Sequence, residues 1–184
     1  FLYFFTFGFI FVGFGCFVSY IPSFMNDRFA CGPILIGIII AARALSGAVT
    51  SALLGQMTLL FSSRTLVVSS FLIMTTGLTS LPLVTSPWGV MFSALCYGAA
   101  FGIIRPLVQI HLFEIAPEDL RATFSSAIGM AIRIAQTVAP LIAGLLVATV
   151  GFNVLYLAAV AFSGLMAGFA LSGSSLKPEN KKIK

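Results

Sequence analysis

The sequence predicts an all-α membrane protein with six transmembrane helices. Of its residues 59% are hydrophobic and only 8% are charged, and the mean hydropathy is +1.10. A soluble domain has roughly 45–50% apolar and about 25% charged residues, so the composition excludes an ordinary soluble fold. The second observation is the length of the apolar stretches, because about 20 apolar residues cross the roughly 30 Å of hydrocarbon in a bilayer.

Six stretches have this length, and together they nearly exhaust the chain. They are residues 1–22, 34–61, 65–84, 88–114, 122–150 and 152–172. Short turn-like segments separate them, including "SSR" after the second stretch and little more than Gly151 after the fifth. We therefore predict one six-helix domain over residues 1–172 and a polar, basic tail over residues 173–184. Because the chain enters an apolar helix at once and without Met, we expect further chain before residue 1.

The distribution of positive charge predicts that both ends of the chain are cytoplasmic, because Lys and Arg accumulate in cytoplasmic loops. In this orientation the outer loops hold only Arg28, whereas the inner side holds Arg64, Arg121 and the lysines of the tail. We expect a multi-pass protein of a bacterial or archaeal plasma membrane. Topology also explains the net charge of +5, so nucleic acid is not an expected partner.

Three arginines, Arg43, Arg105 and Arg133, lie near the middle of their predicted spans. A charge there costs at least about 2.5–3.5 kcal/mol even on insertion scales, so these side chains should face the bundle interior or a wet cavity. Their neighbours at helical spacing are polar or small, as such a location requires. The candidates for a substrate cavity are Arg43, Thr50, Arg105, Gln109, Arg133 and Gln136.

The sequence shows no constellation typical of an enzyme. The chain has a single His, near the end of the fourth span, and no spacing typical of metal ligands, so we predict no catalytic residue, no metal and no cofactor. No G-x-x-x-x-G-K phosphate-binding loop occurs, so bound ATP is not expected. The acidic residues lie in loops, at helix ends or in the tail: Asp27, Glu114, Glu118, Asp119 and Glu179.

Two segments carry patterns of a known family. In "PEDLRATFSS", at 117–126, Pro117 and Arg121 are similar to a P-x-x-x-R-G loop, although Ala122 stands where Gly is common. The runs "GAAFGIIRP" and "APLIAG" add the small-residue patterns of the flanking helices. On these residues the chain resembles the major facilitator superfamily, specifically the C-terminal six-helix half of a twelve-helix, drug-efflux-like member.

A second loop departs from the family pattern. In "GQMTLLFSSR", Gly55 and Arg64 match the G-x-L-x-D-R-x-G-R-R loop, but Leu59 and Leu60 replace the Asp-Arg pair. Loss of the Asp-Arg pair is more typical of the C-terminal half of the family, and it argues against a charge-relay gate at this loop. The similarity of "AARALSGAVTSALLG" to "AIRIAQTVAPLIAGLL" further suggests two inverted three-helix repeats.

The resemblance implies alternating access around a central cavity and assigns roles to further residues. The implied gating or loop residues are Gly55, Arg64, Glu114, Pro117 and Arg121. The implied helix-packing residues are Gly98, Gly102, Pro106, Gly129, Pro140 and Gly144. We interpret Glu114 as an ion-pair partner of Arg121 or Arg64 rather than as a proton carrier, which would then lie in the missing N-terminal six-helix half.

These observations favour a secondary active transporter with a small-molecule solute and the lipid bilayer as its partners. The favoured function is efflux of drug-like or small amphipathic solutes by proton antiport, with the aromatic residues of the first span as an apolar wall. Uptake or exchange of an organic anion is the alternative, because arginine offers a permanently charged fork to a carboxylate. A six-span channel or a structural membrane subunit is the alternative from another class.

Overall fold

A computed structural model describes residues 2–172 of the chain, and these residues form helices without any strand. The helices are α1 (Leu2–Val12), α2 (Ile21–Phe29), α3 (Pro33–Leu60), α4 (Ser63–Leu83), α5 (Gly89–Ile115) and α6 (Arg121–Ser172). A π-helical turn, Gly13–Val18, joins α1 to α2, and a 3-10 turn, Glu118–Leu120, precedes α6. The all-α membrane fold is thereby confirmed, while the predicted tail at 173–184 lies outside the described residues.

Five helical stretches of the described chain are long and apolar enough to cross a membrane. The first is Phe4–Phe29, which combines α1, the π-helical turn and α2 and is called span 1 below. The last is Glu118–Leu171, with 54 residues. A straight helix of this length would measure about 80 Å at 1.5 Å per residue, more than twice the roughly 30 Å of hydrocarbon. This stretch is therefore too long for a single crossing.

Gly151 divides the long stretch into two spans. Its backbone is non-helical, with φ 83° and ψ 173°, a region that is essentially restricted to glycine. We call residues 121–150 the fifth span and residues 152–172 the sixth span. A Cβ built on Gly15 would lie 2.7 Å from the Cβ of Ala139, and further along both segments a Cβ built on Gly144 would collide with the hydroxyl of Tyr20. Span 1 and the fifth span therefore run in the same direction.

The sixth span runs in the opposite direction. The ring of Phe24 lies 5.2 Å from that of Tyr156, whereas the ring of Phe11, earlier in span 1, lies 6.2 Å from that of Phe162. As residue numbers rise in the sixth span, those of their partners in span 1 fall. The chain thus reverses at Gly151, and the structure contains the six predicted spans.

Local sequence signals set several helix ends. Pro33 opens α3 at a position where its missing N–H is no loss. The side chain of Ser62 accepts a hydrogen bond from the backbone N–H of Thr65 at 3.2 Å and so caps the start of α4. After the π-helical turn, the hydroxyl of Ser19 donates to the carbonyl of Phe14 at 2.9 Å. Such bonds satisfy backbone groups for which a bilayer supplies no water.

The core is dominated by aromatic side chains between span 1, α4 and α5. Phe9 is fully buried, and its ring lies 6.0 Å from that of Tyr97 and 5.6 Å from that of Phe71. Phe17 also packs against Tyr97, with ring centroids 5.0 Å apart. Many of the phenylalanines of span 1 therefore serve as packing residues that hold the helices together.

We expect Gly151→Ala to destabilise the protein by about 1–3 kcal/mol, because alanine adopts this backbone conformation only under strain. Thermal unfolding in detergent measures the effect as a lower melting temperature. Gly164→Ala is the matched control, since Gly164 is helical and a Cβ there would meet nothing within 4 Å. Equal melting temperatures for the two variants would show that the reversal at Gly151 does not depend on glycine.

Candidate functional site

The backbones of α3 and α5 approach each other closely. A Cβ added at Gly98 would collide with the backbone carbonyl oxygen of Arg43, and one added at Gly102 would collide with that of Gly47. The hydroxyl of Ser46 reinforces this contact by donating to the carbonyl of Leu95 at 2.8 Å. Small residues are what allows two membrane helices to come this close.

A cavity of about 640 Å³ lies between α3 and α5, beside this contact. From α3 it is lined by Arg43, Ala44, Gly47, Ala48 and Ser51. From α5 its lining includes Phe101, Arg105, Pro106, Gln109 and Phe113. The lining is thus mostly apolar or small and carries two arginines, which is typical of a pocket that orients a ligand by a few polar groups.

Aromatic rings hold both guanidinium groups of this cavity. The Cζ atom of Arg43 lies 5.6 Å from the ring centroid of Tyr97, and that of Arg105 lies 5.6 Å from the ring centroid of Phe101. The two rings are themselves neighbours, with centroids 6.2 Å apart. Arg43 is half-buried and Arg105 is exposed, and cation–π contacts contribute about 0.5–1 kcal/mol at exposed sites and more where the cation is desolvated. The two guanidinium groups therefore contact two aromatic rings that are neighbours of each other.

A second, smaller cavity of about 180 Å³ lies on the other side of α5. Span 1 contributes Thr6, Phe9 and Ile10 to it, and the fifth span contributes residues such as Ser125 and Ile132. Arg105 and Gln109 line this cavity as well as the larger one. Neither cavity is lined by α4 or by the sixth span.

The other predicted cavity residues lie outside both cavities. The hydroxyl of Thr50 donates to the carbonyl of Ser46 within its own helix, at 2.8 Å. Arg133 is exposed, and its Nη1 donates to Oε1 of Gln136 at 3.2 Å. The structure therefore brings Arg43, Arg105 and Gln109 together and leaves Thr50, Arg133 and Gln136 apart from them.

The predicted loop residues make different contacts from those expected. Nη1 of Arg121 lies 3.6 Å from Oε1 of Glu118, while Nε of Arg64 donates to the carbonyl of Ala170 at 3.1 Å. Within residues 2–172 neither arginine pairs with Glu114, which is exposed, so the expected Glu114 ion pair is wrong. Glu118 is nearer to Arg121 along the helix, at three residues, and takes the pairing instead.

Two further loop residues, Gly55 and Pro117, make few tertiary contacts. A Cβ built on Gly55 would meet nothing within 4 Å, and Pro117 is exposed just before the 3-10 turn.

The predicted packing residues of the fifth span differ from one another. The hydroxyl of Tyr20 donates to the carbonyl oxygen of Pro140 at 2.9 Å and lies directly over Gly144. Gly129 lines the smaller cavity, where a Cβ would meet nothing within 4 Å. Pro106, by contrast, lines the larger cavity. Close packing at a small residue is thus seen at Gly144 and not at Gly129.

Sequence reasoning missed the aromatic partners of the arginines. Tyr97, Phe101 and Arg105 follow one another at intervals of four residues on α5, and residues at this spacing are neighbours on a helix face. That pattern was visible in the sequence and predicts the contact between Phe101 and Arg105. The contact of Tyr97 with Arg43 joins two different helices, so no spacing within one helix predicts it.

Apolar spans with a partly polar cavity between two of them are typical of a polytopic membrane protein of the transporter class. The family model of the Major Facilitator Superfamily matches residues 3–184, and the chain belongs to this superfamily of membrane transporters. No curated protein matches the chain at a significant level.

We expect Gly98→Ala to lower stability by about 1–3 kcal/mol, because the added methyl group pushes against backbone that cannot rotate away. The measurement is the melting temperature of the purified protein in detergent. Gly168→Ala serves as the matched control, since a Cβ at this helical position would meet nothing within 4 Å. If both variants melt at the wild-type temperature, the α3–α5 contact is not as tight as described.

Proposed function

We propose that the chain forms part of a secondary active transporter that exports small amphipathic or drug-like solutes, with the solute held in the α3–α5 cavity. The observation that carries this proposal is the cavity itself, which measures about 640 Å³. Pockets for drug-sized ligands measure about 300–1,000 Å³ and combine apolar walls with a few polar groups. The size and the lining both suit an amphipathic molecule.

The depth of the cavity supports a place on a transport path. Arg43 follows Pro33, the first residue of α3, by ten residues, and Arg105 precedes Ile115, the last residue of α5, by ten residues. At 1.5 Å per residue, each arginine lies about 15 Å from a helix end. Transporters of this type hold their solute near the bilayer midplane, about halfway through the hydrocarbon core.

Alternating access requires a second bundle against which this one moves. We propose that an N-terminal six-helix half supplies it and packs against α3, where only 11% of the residues in the apolar window are buried, compared with 61% in span 1. In the proposed orientation both ends of the chain are cytoplasmic. We propose that a proton gradient drives export. No acidic side chain lines either of the two cavities, so the proton-carrying carboxylate is proposed to lie in the other half.

The exchange or uptake of organic anions is the second candidate. It is favoured by one specific observation, the presence of two arginines and no carboxylate in the lining of the larger cavity. Dependence on a pH gradient separates the two candidates. Export driven by protons requires an opposing pH gradient, whereas exchange of two anions proceeds without one.

We expect Ala48→Trp to reduce solute export at least tenfold, because the indole would fill much of the cavity that Ala48 lines. The measurement is flux of amphipathic fluorescent dyes in liposomes that contain the native protein, with and without a pH gradient. Ala158→Trp is the matched control, since Ala158 is exposed on the sixth span and lines neither cavity.

Equal export by the two tryptophan variants would contradict a solute site between α3 and α5. Concentrative export that persists after the pH gradient is dissipated would contradict proton antiport while leaving the location of the solute site intact.

A further inference from the structure

The two guanidinium groups of the α3–α5 cavity have no anionic partner in the described chain. Within residues 2–172 the recorded ion pair joins Arg121 to Glu118, and neither Arg43 nor Arg105 donates a hydrogen bond to another residue. Among the described residues, the specific contacts of these two guanidinium groups are those with the rings of Tyr97 and Phe101. Two positive charges therefore face one cavity without compensation.

We propose that Arg43 and Arg105 together bind an anionic group of the transported solute, a carboxylate, sulfonate or phosphate. The inference rests on the proposed transport function and names its solute class as amphipathic anions. The apolar body of the solute packs against the aromatic and proline side chains of α5 that line the same cavity, Phe101, Pro106 and Phe113.

The aromatic contacts explain how the two arginines remain available to a ligand. A ring attracts the planar face of a guanidinium but takes up none of the N–H groups at its edge. Those N–H groups form a fork that fits a carboxylate or phosphate in a bidentate manner. A carboxylate partner within the protein would occupy the fork, whereas Tyr97 and Phe101 position the two cations and leave their donors free.

Polar neighbours complete the site. Ser51 and Gln109 line the same cavity and can donate to remaining oxygens of the anion from a hydroxyl and an amide group. Because Arg105 and Gln109 also line the smaller cavity, an anion held by them lies at the wall between the two cavities.

Arg133 differs from the other two arginines in a way that provides a control. It also lies within an apolar span, but its guanidinium donates to Gln136 on the same helix, and it lines neither cavity. The substitution Arg133→Gln removes the same charge from the protein as Arg43→Gln or Arg105→Gln. Only the last two remove it from the cavity.

The test uses two probes that share one apolar ring system and differ in charge, 1-naphthaleneacetate and 1-naphthaleneacetamide. Equilibrium dialysis at pH 7 measures their binding to the native protein in an uncharged maltoside detergent. We expect tighter binding of the acid than of the amide. Arg43→Gln and Arg105→Gln should each weaken binding of the acid roughly tenfold to a hundredfold, as for a lost hydrogen bond to a charged group. Binding of the amide should change by less than about twofold.

Two further measurements guard against a folding defect and a lipid ligand. Circular dichroism and size-exclusion chromatography check each variant, and Arg43→Lys, which keeps the charge but not the fork, should retain part of the preference for the acid. Phosphatidylglycerol is added as a competitor. Displacement of the acid by this lipid at equimolar concentration would assign the site to lipid phosphate and overturn the solute assignment.

The remaining outcomes are also decisive. Equal affinity of the wild-type protein for acid and amide, or equal losses in the Arg133→Gln and Arg43→Gln variants, would overturn the anion site while leaving amphipathic export possible. Binding of neither probe, together with an absence of dye export, would contradict the transport function on which the inference rests.

Discussion

The contact between the backbones of α3 and α5 is the constraint on which the site depends. In a bilayer no hydrophobic force draws one helix to another, so association relies on close van der Waals packing and a few hydrogen bonds. Gly98 supplies this packing because its missing side chain leaves room for the carbonyl of Arg43. The same contact fixes the relative position of two helices that each carry an arginine into one cavity.

Tyr97 connects this contact to the rest of the bundle. It is 3% exposed, lies against Arg43 on one side, and packs against Phe9 and Phe17 of span 1. A Cβ at Gly13, at the start of the π-helical turn, would collide with the ring of Tyr97. Tyr97 therefore links the π-helical turn of span 1 to Arg43.

The sequence predicted the architecture well because its signals are local. Apolar length located the spans, and Gly151 located the reversal that separates the fifth span from the sixth. Which residues line the cavity was harder to predict. Arg105 and Arg133 occupy similar positions within their apolar stretches, but only Arg105 lines the cavity, whereas Arg133 donates to Gln136. Helix rotation and tilt decide which side chains meet, and these depend on packing between helices rather than on spacing within one.

The different surroundings of the arginines also explain why charge is tolerated at these depths. Arg133 satisfies part of its hydrogen-bonding capacity through Gln136, whereas Arg43 and Arg105 rely on aromatic rings and the open cavity. A permanent ion pair would lower the cost of burial further, but it would neutralise the site and fill its donors. Aromatic support lowers that cost only in part, and an anion bound as proposed would offset the remaining cost. Part of the affinity of such a site for an anion would come from the electrostatic stabilisation that the two arginines lack in the empty cavity.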